Sequence, residues 1–128
     1  MKIKNSQIVS FINGVVELRE KQLPVKLGYA IAKNLGAMKS ISEAYEEERI
    51  KVLSKYAEKG ADGKFLVEDN SYVIPDMENY GREIGELLEI ENEVAIHTVA
   101  FEELEKCDSD KFDALSIQDI QVLEIMTE

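Results

Sequence analysis

LPVKLGYAIAKNLGAMKSI, Leu23 to Ile41, decides how the rest of the chain is read. Its two glycines and scattered lysines admit a phosphate-cradling loop, a membrane segment or a packed helix. Counted from Ile31, the positions Ile31, Leu35, Met38, Ser42, Tyr45, Arg49, Val52 and Tyr56 alternate steps of four and three, and six of the eight are apolar or aromatic. A loop has no use for such a period. GYAIAKNLG lacks the spacing of a Walker or dinucleotide motif and follows no apolar strand, and Lys26, Lys33 and Lys39 interrupt any membrane span. The stretch therefore reads as the start of a helix that Pro24 can open and that runs to about Lys59.

Such a helix is roughly 54 Å long, more than the diameter of a globule of this size. One preceding helix can cover only its first half. The economical way to bury the remainder is a second copy, so Ile31, Leu35, Met38, Tyr45 and Val52 are the expected oligomer interface.

The preceding segment supplies that first cover. MKIK alternates like a short edge strand, and from Gln7 the residues Ile8, Phe11, Ile12, Val15, Val16 and Leu18 predict a helix to about Lys21. Leu23, pushed out of the α region by Pro24, ends it and makes a helical hairpin. Beyond the long helix, KGADGK is a turn-rich connection in which Asp62-Gly63 is the strongest turn signal. KFLV and SYVIP predict a small β-hairpin across EDN, PDMENYGREIGELLEIE a further helix, and NEVAIHTVAF an additional strand. EELEKCDSDKFDAL reads as a short helical turn and loop. Ser116 with Asp119 caps a last helix through Ile117, Ile120, Leu123 and Ile125. The expected fold is α+β and mainly helical, a single domain over 1–128 with a basic-leaning helical hairpin at 1–59 and an acidic α+β part at 60–128.

With 128 residues, 45% of them hydrophobic and 32% charged, the composition is that of a folded protein. No apolar run is long enough to span a bilayer, and MKIKNSQIVSF has no secretory h-region, so a cytosolic protein without membrane contact is expected. The net charge of −11 disfavours duplex nucleic acid as a partner. That charge is unevenly spread. Residues 1–40 hold seven basic side chains against two acidic ones, +5, and residues 41–128 hold eight against 24, −16. This polarity fits head-to-tail self-association, an anion site near the N-terminus or an acidic face offered to a basic partner.

Lys26 and Lys33 share a helical face with Tyr29 near the line between them, and Arg19 could approach from the first helix. Together they are the candidate site for an anionic, nucleotide-type ligand. Catalysis has less to stand on. His97 is the only histidine and Cys107 the only cysteine, and neither occupies a recognisable nucleophile or zinc context. DSDKFD invites calcium, yet an EF-hand loop begun at Asp108 needs Gly at its sixth position and Glu at its twelfth, where Asp113 and Asp119 stand. No metal, cofactor or enzymatic activity is expected.

MKIKNSQIV, LPVKLGYAIAKN, YEEERIKVLSKYAEK, the ADGK turn and LSIQDIQVLEIM together resemble a family of small, largely uncharacterised proteins encoded by phages and prophages of Gram-positive bacteria. The resemblance implies a viral protein at work in the host cytoplasm and brings no catalytic residues with it. The leading expectation is thus a non-enzymatic binding protein, a homo-oligomer engaged in host interaction. Counter-defence would come by sequestering a small anionic signal or by blocking a host factor. The alternative is a morphogenesis or tail-assembly factor with a purely structural role.

Overall fold

The computed structural model describes all residues from Met1 to Glu128 and is α+β and mainly helical. Strand β1 (Lys2–Lys4) runs directly into α1 (Asn5–Gly14), and after a short 3-10 turn comes the long α2 (Val25–Tyr56). A hairpin of β2 (Val67–Glu68) and β3 (Ser71–Tyr72) precedes α3 (Met77–Glu89) and β4 (Glu91–Glu93). Two short helices, α4 (Phe101–Glu105) and α5 (Ile117–Leu123), complete the chain. β1 and β4 pair antiparallel with Ile3 opposite Asn92, so the first residues of the chain are stitched to the end of α3. Lys2 and Lys4 face Glu93 and Glu91 across that ladder, an arrangement in which opposite charges support the register.

α1 stops seven residues before the expected end. The low helix propensity of Gly14 and of the β-branched pair Val15-Val16 weakens its continuation, and Leu18 is fully buried on the 3-10 turn that follows. Gly14 has a packing reason as well: a Cβ there would run into the side chain of Val122 on α5. α2 spans 32 residues, about 48 Å. It is covered from within the chain. Leu27, Ala30, Ile31 and Met38 join the core formed with α1 and the C-terminal segments, and α3 is the most extensive neighbour of the helix as a whole.

Two residues of the expected oligomer seam are thereby buried within one chain. Ile31 and Met38 are 2% and 0% exposed within one chain, and Leu35 packs against the same core. Tyr45 and Val52 are half-buried; Tyr45 lines a shared cleft with Leu87 and Ile90 at the end of α3. α1 covers only the first half of α2, and α3 packs along the helix as a second cover from within the chain.

The hairpin turn lies at Asp69-Asn70, both with positive φ as a tight two-residue turn requires. That turn falls within the expected EDN connection, and Asp62-Gly63 closes a loop in which the Lys64 amide donates to Asp62 Oδ1. The additional strand is displaced. Pairing is confined to Glu91–Glu93, and residues 94–100 form no ladder apart from a parallel bridge between Val99 and Thr127. The physical reason is Asn34. Its side chain, 1% exposed on α2, accepts from the His97 amide at 2.7 Å and donates to the His97 carbonyl at 2.9 Å. The backbone that would have built a strand is thereby held by a helix.

Candidate functional site

The expected anion site divides in two. On α2, Tyr29 and Lys33 are one turn apart and meet, with Lys33 Nζ 5.8 Å from the ring centroid. His97, positioned by Asn34, presents its ring edge-on to Tyr29 with centroids 5.6 Å apart. Lys26 is exposed on the preceding turn. Arg19 lies exposed on the 3-10 turn after α1, and no interaction joins it to the other three. None of Arg19, Lys26 and Lys33 takes part in the eight ion pairs of the fold. Three cations free of ion pairs in an acidic protein attract anions, but Lys26 and Lys33 stand on the exposed side of α2 and Arg19 on a separate turn. Neither principal concavity of the surface includes them. Tight capture of a small molecule ordinarily requires such a concavity.

Residues with potential chemistry are occupied elsewhere. Cys107 is 1% exposed, and burial, then the neighbouring Asp108 carboxylate, push its thiol up, away from the reactive thiolate. Asp113 accepts from the Gln22 amide at 2.7 Å, which ties the acidic loop to the start of α2. Asp119 completes the capping box of α5 and pairs with Lys21 at 3.0 Å. Burial alone would raise its carboxyl, but the Ser116 amide and then Lys21 outweigh that and hold it below the ordinary carboxylate range.

The larger concavity was not anticipated from the sequence. A groove of about 950 Å³ runs between α1 and α5. Its walls carry Ser6, Ser10 and Asn13 from α1 and Gln118 and Gln121 from α5, and Phe11, Val122 and Ile125 contribute its apolar surface. The spacing of four and three that puts Ser6, Ser10 and Asn13 on one face of α1 was visible in the sequence, as a stripe that is polar yet uncharged. Only the fold could place a second such stripe opposite. The close passage of Gly14 against Val122 sets how near α5 comes to α1. None of those five polar side chains takes part in a hydrogen bond within the chain, whereas neighbouring Gln7 is spent capping α1 through the Lys4 amide. The lining contains a single carboxylate, Glu124, and its one cation, the Met1 ammonium, is engaged by Glu93 at 2.7 Å. Comparison with protein-family models, with curated proteins and with solved structures finds no match to this chain.

Proposed function

We propose that the chain is a non-enzymatic binding protein, phage-encoded and acting in the host cytoplasm, that engages a protein partner through the groove between α1 and α5. The observation that carries this reading is the set of five uncommitted amide and hydroxyl side chains converging on that groove. Each amide offers both donor and acceptor, and an extended polypeptide presents both at every residue. A phosphate would find no free cation there, so the matching ligand is an uncharged, extended segment of a protein. Blocking of a host factor, including a defence component, is the function class that suits such a site. Assembly of a phage structure through the same groove is the structural alternative.

Replacement of Ser10 and Gln121 by Arg fills the groove from two exposed positions without touching the core. The folded double variant should lose the protein's effect during infection. It should also lose the partner captured by a photo-crosslinking residue placed at Gln118. Undiminished effect in a folded variant contradicts the proposal. A second reading, sequestration of a nucleotide, is favoured by the Tyr29–Lys33 contact. It predicts that nucleotides raise the melting temperature, that salt removes the rise and that Lys33→Glu abolishes it.

A further inference from the structure

The face of α2 opposite its buried stripe is exposed along its length, with the His97 ring against Tyr29 as a contact near its N-terminal end. Val25, Tyr29, Ala32, Gly36, Glu43 and Ile50 recur along it at steps of three, four and seven, and all are exposed. Val25 is 86% exposed, Tyr29 57% and Ile50 45%, a row of large apolar side chains left in water. A Cβ added at Gly36 would touch nothing within 4 Å. Charge is sorted along the same helix. From Val25 to Ser42 it carries Lys26, Lys33 and Lys39 and no acid, and four acids follow at Glu43, Glu46, Glu47 and Glu48. Arg49 engages Glu46 and Lys51 engages Glu48, but the three lysines, Glu43 and Glu47 have no ion-pair partner. Unpaired cations at one end and unpaired carboxylates toward the other lie along one exposed side.

We infer that this face docks on the same face of a second copy, the two α2 helices running antiparallel and crossing near Gly36 and Ala37. An antiparallel crossing there sets Lys26 of each copy opposite Glu47 of the other, and Lys33 within a turn of the other copy's Glu43. The two-fold axis makes every pairing occur twice. A parallel arrangement sets lysine against lysine, so charge selects the orientation as well as the partner. Ala32 and Gly36 leave room for the backbones to approach where the helices cross. Tyr29, Val25 and Ile50 then lose water on either side. The surface is distinct from the buried Ile31–Met38 stripe, and the inference does not rest on the groove between α1 and α5.

Sedimentation velocity at tens of micromolar and low salt should show a dimer. Lys26→Glu with Lys33→Glu should weaken it by about tenfold or more, and so should Glu43→Lys with Glu47→Lys, because like charges then meet across the interface. All four positions are exposed, and circular dichroism checks that each variant keeps its helices. An equimolar mixture of the two variants should recover the dimer, since opposite charges meet again at every pair. Gly36→Cys should cross-link to itself under mild oxidation. Tyr29→Cys should not, its two copies lying roughly 22 Å apart along the axis. A monomeric wild type, a dimer indifferent to both reversals, or a mixture that stays monomeric overturns the inference.

Discussion

The two halves of α2 are held in place by different physics. From Val25 to Met38 the helix contributes Leu27, Ala30, Ile31 and Met38 to a cluster of 15 buried residues that also draws on β1, α1 and the segments after β4. From Lys39 to Glu93 no residue belongs to that cluster, and only Leu53 and Ala57 are buried. What joins the second half of α2 to α3 is thinner: Tyr56 edge-on to Tyr80 with centroids 6.3 Å apart, an exposed Lys55–Glu83 pair at 2.9 Å, and half-buried side chains such as Tyr45, Val52 and Ile84. Exposed ion pairs contribute little to stability, whereas a fully buried aliphatic side chain contributes about 1.5–3 kcal/mol. One continuous helix therefore spans a firm half and a soft half.

The largest effect that can break this comparison is a charge placed in each half. Met38→Asp should unfold the protein or cost about 3–5 kcal/mol, the range found when a buried charge is left without a partner. Ile84→Asp, on the half-buried face of α3, should cost far less and leave far-ultraviolet circular dichroism nearly unchanged at room temperature. Equal losses in chemical denaturation would erase the distinction. A smaller effect is expected at the α1–α5 contact. Gly14→Ala overpacks Val122 and should cost about 1–3 kcal/mol. Val122→Ala in the same chain should recover part of that loss, which a simple helix-propensity effect would not allow.

The smallest effect sharpens the firm half through its pH dependence. The Asp119 carboxyl is held below its ordinary value, so the unfolded chain binds the proton more readily than the native one. Its contribution is therefore complete above the ordinary carboxylate value of about 4 and is lost as pH falls through the lower native value. Asp119→Asn should flatten the fall in melting temperature between about pH 5 and pH 2, and Lys21→Ala should flatten it in part. An unchanged acid limb in both variants would remove Asp119 from the account.

Local signals in the sequence fared better than long-range ones. The strand at Lys2–Lys4, the Pro24 entry to α2, the span of α3 and the Ser116–Asp119 capping box each depend on neighbours in the chain, and each is found. The approach of α5 to Gly14, the fate of residues 94–100 and the covering of α2 depend on residues far apart. Val122 meets Gly14, Asn34 holds His97 and α3 lies along the second half of α2. The pattern Ile31, Leu35, Met38 correctly marked a buried stripe but not what buries it. Half of the candidate site was legible for the same reason. Tyr29 and Lys33 meet because they share a helix turn, while the position of Arg19 relative to them depends on tertiary packing. The groove needed two polar stripes more than a hundred residues apart in the chain, roughly Ser10 to Gln118, to be brought face to face.

Native-state hydrogen exchange at a series of low denaturant concentrations tests the division of α2 most directly. Amides of Ile31, Leu35 and Met38 should exchange only through global unfolding. Those of Val52 and Tyr56, with Ile84 and Leu87 on α3, should exchange through a smaller opening of distinctly lower free energy. Isotherms for all seven that coincide with global unfolding would contradict the account, because α3 and the second half of α2 would then be as firmly held as the core.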